Sequence, residues 1–222
     1  MIEGLVVSVN VGLPRVVEWK GKSIETAIFK SPVAGRVKIR RDSLEGDQQA
    51  DRRHHGGTHK AVYSYAHECY THWRAHYPQA ELLAGAFGEN LTTQGLTERA
   101  VCIGDRFRFG TALLEASEPR LPCAKLALRF GSDEIVEQFL AHRHVGIYWR
   151  IVEDGDVATG DRITLVERTG NGTSVHDVID AYVSRGADAS QLERALACTA
   201  LTHKWRNRLR RQADQSGRPR QA

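Results

Sequence analysis

Apolar positions in the first two-thirds of the chain come in short runs separated by turn residues. Runs at 5–9, 25–29, 36–39, 61–65, 90–93, 106–109, 113–116, 146–152 and 162–166 have the length and composition of strands. Gly-Asp recurs at 46–47, 104–105 and 160–161. The last two open nearly the same phrase, Gly104-Asp105-Arg106-Phe107-Arg108-Phe109 and Gly160-Asp161-Arg162-Ile163-Thr164-Leu165. Each predicts a turn feeding a strand with alternating faces. So many short strands point to a sandwich or barrel rather than a doubly wound sheet.

Helical spacing interrupts the strands twice. One helix is predicted over 66–76, ending before Pro78; a second follows Cys123 and resumes after Gly131, where Ser132 or Asp133 can cap it. At 169–172, Thr-Gly-Asn-Gly marks a change of texture. Beyond it Ser174 and Asp177 form a capping-box start for Val175, Val178, Ile179, Tyr182 and Val183, with a stop at Gly186. Further helices are predicted over 190–198 and 202–212. The fold class expected is mainly β with helices: a barrel over 1–168, a three-helix domain over 172–215 and a basic flexible tail over 216–222. Three short helices bury little core by themselves, so they should dock on the barrel or a partner.

Composition narrows the class without deciding it. With 41% hydrophobic and 26% charged residues in 222, the chain reads as an ordinary globular protein. It has no long apolar run for a membrane span and no export signal, and its four cysteines form no CxxC pair, so a cytoplasmic location is expected. The net charge of +4 is unevenly placed. Lys204, Arg206, Arg208, Arg210, Arg211, Arg218 and Arg220 face one acid, Asp214, in the last stretch. Nucleic acid is one reading of such a tail, a solvated terminus the simpler one. His67-Glu68 with His72 misses zincin spacing by one residue, and His72 and His76 lack an obvious third ligand, so surface histidines are expected there. Val16 stands where a Walker loop needs glycine, and neither GxGxxG nor GxSxG occurs.

The stretch with most chemistry is Glu118-Pro119-Arg120-Leu121-Pro122-Cys123-Ala124-Lys125. Pro122 suits a helix's first turn, which would set Cys123 at a helix N-terminus. There the unbonded N–H groups and two flanking cations would bias the thiol toward thiolate, a nucleophile and soft-metal ligand. A buried, inert cysteine is the plainer alternative. A second stretch, from Gly46-Asp47 to Lys60-Ala61, pairs Gly56-Gly57 with the charge and donors of Arg52, His55 and Lys60. It suits a phosphate-like anion or a solvated hairpin loop equally.

Taken together, these segments resemble the MOSC domain, the family named after the C-terminal domain of molybdenum cofactor sulfurase. The match lies in Gly46-Asp47, His55-Gly56-Gly57, Lys60-Ala61-Val62-Tyr63, Gly85-Ala86-Phe87-Gly88-Glu89-Asn90-Leu91, Gly104-Asp105 and Pro119-Arg120-Leu121-Pro122-Cys123. It spans roughly 1–168 and is similar to the bacterial branch that reduces N-hydroxylaminopurine, which often carries a three-helix C-terminal domain.

That resemblance implies a MOSC β-barrel with Cys123 as ligand to molybdenum in a pterin cofactor. Lys30, His55, Gly56, Gly57, Asn90 and Arg120 would bind the cofactor's phosphate, with Lys125 either raising the local potential or facing solvent. The implied substrate is a small molecule with a reducible N–O bond, such as a hydroxylaminopurine-type base analogue, in a detoxifying reduction that needs no pyridoxal phosphate. No flavin, haem or iron–sulfur motif is visible, so electrons would come from a separate reductase. A homodimer is compatible with this reading, while membrane and nucleic acid are not expected partners. The alternative is a carrier module in which a Cys123 persulfide delivers sulfur or cofactor.

Overall fold

The computed structural model describes residues 2–40, 42–50 and 57–215. His55 and Gly56, with Arg52 and the 216–222 tail, lie outside the described residues. Thirteen strands are described: β1 (Glu3–Val11), β2 (Arg15–Trp19), β3 (Lys22–Thr26), β4 (Ser31–Pro32), β5 (Val37–Arg40), β6 (Ser43–Leu44), β7 (Val62–Ala66), β8 (Leu91–Gln94), β9 (Arg106–Phe109), β10 (Ala112–Pro119), β11 (Ile147–Glu153), β12 (Gly155–Val157) and β13 (Arg162–Glu167). The main sheet runs β13-β9-β10-β11-β7-β8-β1, and a β13–β1 pairing closes it into a barrel of seven strands, with β4 added on β1. Closure removes the exposed edges that an open sheet would present. β7 and β8 are parallel; the remaining barrel pairs are antiparallel.

The twin Gly-Asp phrases become neighbours. β9 pairs with β13, Phe107 opposite Leu165. Gly104 and Gly160 both take positive φ, 91° in each case, a conformation only glycine adopts cheaply. Asp105 Oδ2 then accepts from Cys102 N at 3.0 Å and Asp161 Oδ2 from Ala158 N at 2.8 Å, closing two side-chain turns. Inside the barrel, Phe107 and Phe109 meet the Trp149 indole edge-on at 5.7 and 5.0 Å, and Trp149 Nε1 donates to Ser64 Oγ at 2.8 Å.

Six α-helices are described: α1 (Tyr70–His76), α2 (Ala124–Phe130), α3 (Glu134–His142), α4 (Val175–Val183), α5 (Ala189–Ala197) and α6 (His203–Gln215). The expected capping box is present at α4, with Ser174 Oγ accepting from Asp177 N and Asp177 Oδ2 from Ser174 N, each at 3.0 Å. α4 packs against β10, which explains why every residue of β10 is buried although a barrel strand should alternate. Val175, Val178, Ile179, Trp205 and Leu209 belong to the same apolar cluster as Phe107 and Trp149, so the terminal helices and the barrel share one core. A side chain buried like Ile179 contributes about 1.5–3 kcal/mol. No described helix is long and apolar enough to cross a membrane.

Three local expectations are corrected. The strand expected over 25–29 ends at Thr26, because Thr26 Oγ1 accepts from Ile28 N at 3.2 Å and Ile28 O from Lys30 N at 3.1 Å, turning 27–30 away from the sheet. Pro122 precedes α2 instead of opening it: Cys123 is extended, with φ −140°, and its carbonyl accepts the first helical bond from Leu126 N. Asp133 precedes α3 without a side-chain cap, its carboxylate pairing instead with Lys20.

Candidate active site

Where the barrel wall meets residues 26–30, 47–50 and 85–90, a cleft opens that is lined by Lys30, Asp47, Lys60, Asn90, Arg120 and Cys123. Each reaches it from a different element. Lys30 follows the turn after β3, Asp47 follows β6, Asn90 precedes β8, Arg120 follows β10 and Cys123 is the N-cap of α2. Lys125, Tyr63, Phe87 and Tyr148 complete the walls.

The Gly-Glu-Asn-Leu segment proves to be mostly scaffold. Glu89 is fully buried and accepts from the Tyr70 hydroxyl, Gly85 N (2.9 Å), Phe87 N (3.1 Å) and Thr92 Oγ1 (2.8 Å). Burial pushes its carboxyl above the usual range, against those donors. Gly88 has no room for a side chain, since a Cβ would meet Ile28 Cγ1 at 2.9 Å. Asn90 then faces the cleft with both polar atoms engaged: Nδ2 donates to Asp47 Oδ2 at 2.9 Å, and Oδ1 accepts from Tyr63 N at 3.1 Å. Asp47 Oδ1 pairs with Lys30 Nζ and accepts from Gly12 N at 2.8 Å. Lys30 and Asp47 side chains are only 7% and 5% exposed, so this ion pair is removed from water and geometrically fixed.

The surroundings of Arg120 in the same cleft are different. Arg120 is 6% exposed and stacks over Tyr63 and Phe139, with its central carbon 5.1 and 5.4 Å from the ring centroids. Burial works against its charge, yet Tyr63, Tyr148 and Cys123 around it outweigh that and hold its pKa above the usual value. Its Nη1 is buried and has no hydrogen-bond partner. Orphaned buried donors are costly, and one on a cationic group beside a cleft marks a place for an acceptor. Lys60 Nζ lies 3.5 Å from Glu118 Oε1 and 5.4 Å from the Tyr148 ring. Burial lowers its pKa first of all; Glu118 pulls the other way, and Lys204 and Arg208 push it further down.

Cys123 is half-buried, whereas Cys69, Cys102 and Cys198 are buried. Burial raises the Cys69 thiol to about 12 and the Cys102 thiol in the same direction, which leaves both inert at neutral pH. Among the described residues no group of three or more His, Cys, Asp or Glu is placed to hold a bare metal ion. A metal at Cys123 would therefore bring its other ligands with it, as a cofactor does. The thiol donor, the unpartnered Arg120 nitrogen and the nearby Lys125 fit an anionic, metal-bearing group.

Of the residues expected to bind the cofactor, the structure gathers Lys30, Asn90, Arg120, Cys123 and Lys125 around one cleft. Gly57 is exposed, opens the turn at 58–60 with φ 98°, and is not among the cleft's lining residues. Asp47, Glu118 and Tyr148 were not expected as site residues. Asp47 carries the same Gly-Asp signal as the two turn aspartates, and nothing local marks it as the one turned inward.

Residues 51–164 match the MOSC domain family. The chain belongs to the MOSC family. It is 41% identical over 201 residues to YflK of Bacillus subtilis (strain 168), covering 90% of both chains. It is 38% identical over 151 residues to a Gibberella moniliformis protein named "Reductase", covering 67% of this chain and 27% of that one. The crystal structure of YiiM from Geobacillus stearothermophilus superposes with a TM-score of 0.77 at 31% identity, covering 94% of this chain and 98% of that one. The fold expected from the resemblance is thus the fold observed: a MOSC barrel with helices. MOSC domains are associated in general with the molybdenum cofactor, and the cleft described above is compatible with it.

Proposed function

We propose that this MOSC protein is a molybdenum-cofactor-dependent reductase of N-hydroxylated compounds, hydroxylaminopurine-type base analogues among them. One arrangement carries the reading: a half-buried thiol at the lip of a cleft whose buried arginine still has an unpartnered donor. The relative named "Reductase" supports redox chemistry on this fold. When bound, the cofactor would supply the centre that exchanges electrons with substrate. Cys123 would hold it as a soft thiolate, and Arg120 and Lys125 would face its phosphate.

The reaction breaks one N–O bond; nitrogen keeps hydrogen and the oxygen leaves as water, with two electrons and two protons delivered. Electrons would come from a separate reductase protein. Protons fall to the cleft's own groups. Lys60, its proton affinity lowered by burial, is the better donor, while Tyr148, pushed up to about 12 by burial, keeps its hydroxyl proton and can only hydrogen-bond. The test is reduction of N-hydroxylaminopurine with an artificial electron donor. Cys123→Ser is expected to fold and lose at least ~100-fold activity, whereas the same change at Cys69, Cys102 or Cys198 keeps most of it. Full activity in Cys123→Ser overturns the assignment. Metal-free protein carrying a persulfide on Cys123 would support the carrier reading instead.

A further inference from the structure

A second groove leaves the cleft at the thiol. Lys60, Cys123 and Tyr148 line both, and the groove continues between Pro122 on one side and Lys204 and Arg208 of α6 on the other. Lys204 and Arg208 are four residues apart, hence on one face of α6. Arg208 is held there by its stack over Trp205, with the ring centroid 5.4 Å from its central carbon, and over Tyr182 at 6.0 Å. Among the described lining residues Glu118 is the one carboxylate, and Thr202 Oγ1 already donates to its Oε2 at 2.6 Å. Three cations thus line the groove beside that one described acid. A groove lined mainly by cations attracts an anion, and a phosphate monoester brings both the charge and the acceptor oxygens that Lys204 and Arg208 can meet. The walls beside them, Leu121, Pro122 and Trp205, are apolar and suit the body of a base.

We propose that this groove is a phosphate subsite and that the substrate is a nucleotide, the 5′-monophosphate of an N-hydroxylated base, bound with its phosphate on Lys204 and Arg208. The inference rests on the N–O reductase reading for the reacting end and on the groove alone for the phosphate. It also gives a role to two cations of the basic C-terminal segment: they serve a small anion.

The experiment uses the full chain with its cofactor, as wild type, Lys204→Gln/Arg208→Gln and Arg208→Lys. Calorimetry compares adenosine 5′-monophosphate with adenosine, with no turnover required. Steady-state assays compare N-hydroxylaminopurine with its ribonucleoside 5′-monophosphate, and molybdenum is measured in each preparation. Wild type is expected to prefer the phosphorylated partner of each pair by about tenfold or more, since charge-assisted hydrogen bonds of this kind are worth at least that. The double variant should lose the preference through KM while keeping kcat, the KM for the base and the molybdenum content; Arg208→Lys should keep part of the preference. Equal binding of the two ligands by wild type overturns the subsite. Loss of molybdenum from the double variant also overturns it, because the phosphate held there would then be the cofactor's. If no N-hydroxylated compound is reduced yet the monophosphate preference appears and vanishes with the two cations, the reductase reading fails and the phosphate subsite stands.

Discussion

On one wall of the cleft Lys30, Asp47, Asn90, Gly12 N and Tyr63 N form a closed set in which each donor meets an acceptor. In the same cleft Arg120 lies equally deep with one nitrogen unmatched, and in the adjoining groove Lys204 and Arg208 join Lys60 and Glu118 among the lining residues. Both sets are rich in cations, yet the first pairs its one lysine with an aspartate and the second leaves a buried arginine nitrogen unmatched. A satisfied buried network fixes shape; an unsatisfied one invites a ligand. Lys30 and Asn90, expected from the sequence to hold phosphate, are engaged within this network, whereas Arg120 keeps an unmatched buried nitrogen.

The largest effect should come from opening the closed wall. Asp47→Ala leaves the Lys30 charge buried and unpaired, with Asn90 and Gly12 N also orphaned. Denaturant unfolding is expected to show a loss of about 3–5 kcal/mol. A loss near zero would mean that the wall is not preorganised by this pair.

A second effect arises away from the cleft and must be separated from it. His76, His72, His142 and His144 form a string between α1 and α3, with ring centroids 4.1, 4.1 and 5.0 Å apart. Burial first, then neighbouring histidines, lowers His142 to about 4. A group depressed in the folded state stabilises the fold above its unfolded value, near 6.5, and that stability is lost as pH falls from there to about 4. His72 and His176 shift the same way, chiefly through burial. His144 opposes them: its bond to Glu98 raises its pKa, so its contribution is present at low pH and lost as pH rises. With His142 half-exposed, an acid-induced loss of about 1–2 kcal/mol is expected between pH 7 and 4.5. Denaturation curves of His142→Gln should show that loss shrink; an unchanged pH dependence would place it elsewhere.

Arg120→Met separates the two sets most clearly, because it keeps apolar bulk over Tyr63 and Phe139 and removes only the charged fork. Stability is expected within about 1 kcal/mol of wild type, since an unmatched buried donor is removed with it. Molybdenum content of protein made in a cofactor-producing host should nevertheless fall severalfold. Lys125→Ala, at a half-buried position in the same cleft, should change stability by less than about 0.5 kcal/mol and metal content less than Arg120→Met does.

The sequence carried most of the fold because most of it is periodic. Both Gly-Asp twins, the Ser174 capping box and the Gly131 helix stop were legible, since each is a local rule that local residues satisfy. The β2–β3 hairpin was not. Its strands are largely exposed, with Val16 66% accessible, so no buried face imposes an alternating pattern, and Lys20-Gly21 form its two-residue turn at φ 51° and 71°. At the site, the charged surroundings of Cys123 were visible because they are contiguous in sequence. Asp47 was not, because its partners Lys30, Asn90 and Gly12 come from distant segments that only the folded barrel brings together.

The central claim is that Cys123 and Arg120 hold a molybdenum cofactor. X-ray absorption at the molybdenum edge of the purified protein, with Cys123→Ser beside it, tests this most directly. The wild type is expected to contain close to one molybdenum per chain, and the serine variant, where it retains metal, to show one sulfur scatterer fewer. Wild-type protein without molybdenum from a cofactor-producing host, or an unchanged sulfur shell in Cys123→Ser, would contradict it.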